Sequence, residues 1–235
     1  MSTTQVNKLG ERLRKGPITE ADLHLLDEYR RQFANASSEV ERVLREEFRQ
    51  QPASREAKST SAICAKLQRE RGSRLASMQD IAGCRIVVAD RQAQRSLADA
   101  LAMRFVEHRL IDRIAQPSHG YRALHLVVGV EGRRVEIQIR TELQHLWAQV
   151  CERIADKVGL EFKYGVGHPV LQQWLASLST AVDQVERGFD GETMLAPLAA
   201  VRMMPPGPDM TPDRENLNEL LQALVEFIPA LGESR

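Results

Sequence analysis

The chain has no net charge, since 32 lysines and arginines balance 32 aspartates and glutamates over 235 residues. No global field therefore drives it onto nucleic acid or an anionic membrane, and any polyanion must be met by a local basic cluster. Cysteine is scarce: Cys64, Cys84 and Cys151 are odd in number, far apart and without CxxC spacing. That argues against a disulfide framework and a structural zinc site, and makes a reducing cytoplasm the expected compartment. The histidines His24, His108, His119, His125, His145 and His168 show neither HExxH nor paired-ligand spacing, so no zinc enzyme is expected. No apolar run approaches the roughly 18 residues of a spanning helix, and the start MSTTQVNKLG has no apolar segment of signal-peptide type, so neither membrane nor export is expected. Neither GxxxxGK[ST] nor GxGxxG occurs, which removes the two familiar glycine-rich phosphate cradles. Internal repeats are absent as well.

What is present is enough apolar material for one core with helical appendages, at 43% hydrophobic residues. Residues 1 to 16 read as a loosely held end or a short first helix. Thr19-Glu20-Ala21-Asp22 has a capping-box layout ahead of Leu23, Leu26, Tyr29 and Phe33, predicting a helix from about 20 to 35. Ser38 with Glu41 repeats that layout ahead of Val40, Val43, Leu44 and Phe48, predicting a second helix antiparallel to the first and stopped by Pro52. Between Ser54 and Arg74 stand Arg55, Lys58, Lys66, Arg69, Arg71 and Arg74, with Ile63, Cys64 and Leu67 along one helical side. This is the local basic cluster that the neutral total conceals. Ile81 to Val88 reads as a buried strand, Gln92 to Met103 as a helix, and Arg104 to Ile114 as an alternating stretch. Ala123–Val130 and Arg133–Arg140 flank Glu131-Gly132 as a hairpin, and Thr141 caps a helix carrying Leu143, Leu146, Trp147, Val150, Ile154 and Val158. A further helix runs from Pro169 to about Arg187, with Leu171, Trp174, Leu175 and Leu178 along one side, a stripe that reads equally as internal packing and as a subunit contact. The fold class expected is α+β: N-terminal helices over 1–50, a core over 51–168, and a helical extension over 169–235 with a proline- and glycine-rich linker near 204–213 and a last helix over 216–228.

Two carboxylates stand where a carboxylate is costly. Asp80 immediately precedes the Ile81–Val88 strand, and Glu136 interrupts Val135-Glu136-Ile137-Gln138-Ile139-Arg140. A period of two places Arg134, Glu136, Gln138 and Arg140 on one face and Val135, Ile137 and Ile139 on the other. Taken singly, the acids read equally well as a turn residue and as part of a solvated sheet face with cross-strand ion pairs. Taken with the basic helix and the aromatic loop Pro117-Ser118-His119-Gly120-Tyr121, they form a list of parts for phosphoryl-type transfer.

The succession Lys58-Ser59 with Ile63 and Lys66, then Asp80-Ile81-Ala82-Gly83-Cys84-Arg85-Ile86, then Gly120-Tyr121-Arg122-Ala123-Leu124-His125, then Val135 to Thr141, resembles the synthetase domain of the RelA/SpoT alarmone family over roughly residues 50 to 165. The resemblance implies a mixed sheet of nucleotidyltransferase type, in the manner of a stand-alone small synthetase. It further implies transfer of the β,γ-pyrophosphate of ATP to the 3′-hydroxyl of GDP or GTP, making (p)ppGpp. No hydrolase HD dyad is visible, so alarmone breakdown is not implied. Asp80 would hold Mg2+, and Glu136 would help to hold it or act as the base that deprotonates the attacking hydroxyl. Arg55, Lys58, Ser59, Lys66 and Arg85 would bind ATP, the arginines on adenine and the lysines on phosphate. Tyr121, His125, Gln138 and Arg140 would serve the acceptor, Tyr121 by stacking on its base. His145, Trp147 and Glu152 match the helix that follows and read either as scaffold or as support behind the residues that touch substrate. Two departures from the family pattern are visible. Glu56 stands where an arginine is usual, with Arg55 one place further back, and Pro117-Ser118-His119 lacks the usual lysine and asparagine before the glycine. The acceptor therefore stays open between a guanine nucleotide and the 3′ end of tRNA, the latter marking a toxin with an antitoxin partner. For tRNA, Arg42, Arg45, Arg49, Arg69 and Arg71 would supply phosphate contacts. A catalytically silent nucleotide-binding regulator is the third reading, and a symmetric homo-oligomer is compatible with all three.

Overall fold

The computed structural model describes residues 1–55, 58–188, 218, 221 and 222. In chain order these form α1 (Thr3–Lys15), α2 (Glu20–Arg31), α3 (Ala34–Glu46), β1 (Ala53–Arg55), α4 (Thr60–Arg69), β2 (Gly83–Val88), α5 (Arg91–Arg104), β3 (His108–Asp112), β4 (Leu124–Val130), β5 (Arg133–Thr141), α6 (Glu142–Val158) and α7 (Pro169–Glu186). The strands make one mixed five-stranded sheet in the order β1-β2-β5-β4-β3, flanked by helices, as an α+β fold requires. β1 runs antiparallel to β2, with Ala53 opposite Arg85 and Arg55 opposite Gly83. β4 and β5 are joined by Glu131-Gly132 with φ of 50° and 72°, the pair of positive values that lets a two-residue turn follow the twist of the strands.

The chain divides into two compact units. The first comprises Met1–Ile86, Ala98–Ile111 and His125–Gln138. Its helical core is made by Val6, Leu9 and Leu13 of α1, Leu26 and Tyr29 of α2, and Ile63 and Leu67 of α4, all buried. Each such aliphatic side chain removed from water stabilises by about 1.5–3 kcal/mol relative to exposure. The start of the chain is thus a packed helix, capped by Ser2, whose side chain accepts from the Gln5 N–H. Thr19 and Asp22 form the expected capping box on α2. The second expected cap is overturned. α3 begins at Ala34, after Phe33 with no side-chain cap, so Ser38 and Glu41 lie inside it. Phe33 is buried edge-on against Tyr29, their ring centroids 5.2 Å apart, and this packing fixes the break between α2 and α3 where local capping pattern had placed it later.

The second unit comprises Val87–Leu97, Asp112–Leu124 and Ile139–Arg235. Leu143, Trp147, Val150 and Ile154 of α6 meet Leu175, Leu178 and Val182 of α7 in one apolar cluster. The Trp147 indole N–H donates to the Leu175 carbonyl at 2.9 Å, which ties α6 to α7. Burial pushes the Cys151 thiol up to about 12, with the neighbouring Glu152 charge adding to the shift. Such a thiol is no nucleophile at neutral pH. The linker expected near 204–213 falls outside the described residues, as does nearly all of the last helix expected over 216–228. Among the described residues no helix is long and apolar enough to cross a membrane.

Candidate active site

Three of the expected residues meet at Asp80. Lys58 Nζ lies 2.7 Å from one carboxylate oxygen and Lys66 Nζ 3.1 Å from the other. Burial would raise the Asp80 pKa, but the two ammonium groups more than reverse this and hold it down to about 2. Lys66 projects from α4, while Lys58 precedes that helix and is fixed by its backbone N–H, which donates to the Ile81 carbonyl at 3.0 Å. Ser59 is the N-cap of α4, its hydroxyl accepting from the Ala62 N–H at 3.3 Å. Its sequence position is explained by helix capping alone, whatever further contact it makes. A residue the sequence reading missed secures the same turn. Arg30 of α2 donates from Nη2 to the Lys58 carbonyl at 2.7 Å and to the Thr60 hydroxyl at 3.1 Å, and from Nε to that carbonyl at 3.2 Å.

A second group gathers around Glu136. His125 Nδ1 is 2.8 Å from one of its carboxylate oxygens, and the Gln138 amide donates to the other at 2.8 Å. The period-two face predicted from sequence exists, but its solvated reading is overturned beyond Arg134. Glu136 and Gln138 are each 6% exposed and Arg140 is 5% exposed. Buried polar groups need hydrogen-bond partners, and Glu136 finds its own in His125 and Gln138. Asp80 lies three residues ahead of β2 and Glu136 on the neighbouring β5, and the two segments are joined where the Glu136 N–H donates to the Ala82 carbonyl at 3.1 Å, two residues on from Asp80. A side chain at Gly83 would collide with the Glu136 carbonyl, so only glycine allows this approach. Arg55 reaches the same sheet through β1, opposite Gly83, and Arg85 stands half-buried on β2.

In the second unit Tyr121 and Arg140 meet. The Arg140 guanidinium lies 5.1 Å from the centre of the Tyr121 ring, and its Nε donates to the phenol oxygen at 3.3 Å. A cation over an aromatic face orients both groups and presents a planar donor beside a ring.

The two carboxylates fit magnesium by donor type: both are hard oxygen ligands and Asp80 is held ionised. Among the described residues no cluster of three or more His, Cys, Asp or Glu could form an all-protein cage.

Residues 55–159 match the model of a region found in RelA / SpoT proteins. Uncharacterized proteins of Mycobacterium tuberculosis and Mycobacterium bovis are 36% identical over 174 residues, covering 69% of this chain. The chain spans 62% of the length of these curated relatives. The small alarmone synthetase 1 from Bacillus subtilis, solved with its product pppGpp bound, is similar with a TM-score of 0.55 and 25% identity, over 72% of this chain and 95% of that one. A second structure of that synthetase gives a TM-score of 0.51 at 24% identity, over 79% of this chain and all of that one.

Proposed function

We propose that this protein, whose residues 55–159 are a RelA/SpoT-type region, is an ATP pyrophosphotransferase that moves the β,γ-pyrophosphate of ATP to the 3′-hydroxyl of GDP or GTP. The observation that carries the reading is an ionised Asp80 under two lysines, just ahead of β2, together with a buried Glu136 on the neighbouring β5. A binding module gains nothing from two costly carboxylates beside phosphates, whereas transfer needs both. The product named for the Bacillus subtilis synthetase, pppGpp, supports the same acceptor class.

In the reaction the acceptor 3′-oxygen attacks the β-phosphorus of ATP, the bond from that phosphorus to the α,β-bridging oxygen breaks, and AMP leaves. The hydroxyl proton passes to Glu136, whose carboxylate is held in a fixed plane by His125 and Gln138. Lys58 and Lys66 hold the transferred phosphates, and Arg55 and Arg85 flank the adenine. Tyr121 stacks on the acceptor base while Arg140 fixes the ring. Asp80 and Glu136 are the residues that would hold Mg2+, which when bound neutralises phosphate charge and polarises the phosphorus under attack.

The test is purified protein with γ-labelled ATP and magnesium, offered GDP, GTP and deacylated tRNA in parallel, with Asp80→Ala and a chelator as blanks. Label on the guanine nucleotide, dependent on Asp80 and on magnesium, is expected. Label on tRNA alone would replace the acceptor, and no transfer to any of the three would overturn the enzyme reading in favour of a silent nucleotide-binding regulator.

A further inference from the structure

The loop that carries Tyr121 is tied down from outside the RelA/SpoT-type region. Within it, Ser118 and Tyr121 exchange backbone hydrogen bonds of 2.9 and 3.3 Å across a tight turn. Ser179 of α7, which lies beyond residue 159, is 2% exposed. Its hydroxyl donates to the Gly120 carbonyl and accepts from Arg122 Nε at 3.1 Å. One buried hydroxyl therefore grips the residue before Tyr121 and the residue after it. Arg122 is fixed further by the Ile114 carbonyl at 2.9 Å and by Asp183 of α7 at 3.4 Å. Asp183 in turn is engaged by Arg91 and Arg187, so the anchor belongs to a charged network and is not a lone contact.

We infer that Ser179, with Asp183 behind it, is a positioning residue that pre-orders Tyr121 for the acceptor base. This rests on the proposed role of Tyr121. A stacking ring held at both flanks loses little freedom when the base arrives, which favours acceptor affinity without touching ATP. The loop is one of the two segments where this chain departs from the family pattern, and α7 ties it down through Ser179.

The experiment uses the full chain with Ser179→Ala, and with Thr180→Ala as a control on the same helix, whose hydroxyl donates within α7 to the Ala176 carbonyl at 3.0 Å. Initial rates are measured against each substrate in turn, together with hydrogen exchange over the 118–122 segment and a thermal melt. Losing a hydroxyl that serves a carbonyl and a guanidinium should raise the acceptor KM about tenfold while leaving the ATP KM within about twofold. Exchange at the Tyr121 amide should speed up in parallel, and Thr180→Ala should match wild type in every readout. Unchanged exchange, faster exchange with an unchanged acceptor KM, or an equal rise in both KM values would each overturn the inference. If the wild type transfers nothing to any acceptor, the catalytic reading falls and the acceptor role falls with it. The anchoring of the loop by Ser179 is then still decided by the exchange arm.

Discussion

Asp80→Asn should change how stability depends on pH. In the folded protein the Asp80 carboxyl is lowered from its ordinary 3.8 to about 2, burial working against the shift and Lys58 and Lys66 producing it. A depressed carboxylate contributes stability that is fully present above the unfolded value and is lost as pH falls toward the folded one. The difference amounts to about 2 kcal/mol at neutral pH, of which roughly half remains at pH 3 and little below pH 2. With a side chain only 16% exposed, little is lost to solvent screening. The assay is urea unfolding of wild type and Asp80→Asn at pH 6 and pH 3, with the difference between the two proteins read at each pH. That difference should shrink by about 1 kcal/mol on acidification, because the neutral amide has no charge for the acid to remove. A difference that stays constant across the interval would refute the ion-paired Asp80 and, with it, the proposal that this carboxylate is kept ionised for a metal.

Glu136→Gln should keep ATP affinity near that of wild type and lower kcat by about a hundredfold or more, measured by ATP titration and single-turnover transfer. Loss of ATP binding would make Glu136 chiefly a metal anchor. Tyr121→Ala should raise the acceptor KM by about tenfold with little effect on ATP, and equal damage to both would contradict the stacking role. Arg30→Ala releases the Lys58 carbonyl and the Thr60 hydroxyl. It should weaken ATP by about fivefold to tenfold and spare the acceptor, a pattern that steady-state kinetics separates from global destabilisation.

The elements with strong local signals were legible in the sequence. The Glu131-Gly132 turn and the Thr19 and Thr141 caps rest on interactions within a few residues, and the apolar sides of α4, α6 and α7 show in their helical spacing before any partner is known. The two acids were legible for a different reason, since a carboxylate beside or inside a strand conflicts with its surroundings unless it has a use. Periodicity correctly put Glu136, Gln138 and Arg140 on one face, but it could not say whether that face was wet. Burial depends on what covers the strand. Arg30 and Ser179 were invisible because these partners lie 28–30 and 57–59 residues away and each is a common residue on a helix. The misplaced start of α3 is the reverse case, a good local cap pattern overruled by the packing of Phe33.

The Asp80 cluster also explains how a chain of zero net charge can meet a polyphosphate. Two ammonium groups share one carboxylate, so the cluster carries a net positive charge. Each lysine spends one N–H on Asp80 and each ammonium has three, which leaves donors for phosphate oxygens without breaking either ion pair. On this argument the lysines carry ATP affinity in the absence of metal, and Asp80 opposes it, because its charge repels the phosphates and occupies a donor on each lysine. Asp80→Asn should therefore bind ATP without magnesium no more weakly than wild type, while losing both the gain in affinity that magnesium brings and the transfer itself. Calorimetric titration with and without magnesium reads the two terms separately. If metal-free affinity falls with Asp80→Asn, then Asp80 acts chiefly by holding Lys58 and Lys66 in place, and the magnesium role passes to Glu136 alone.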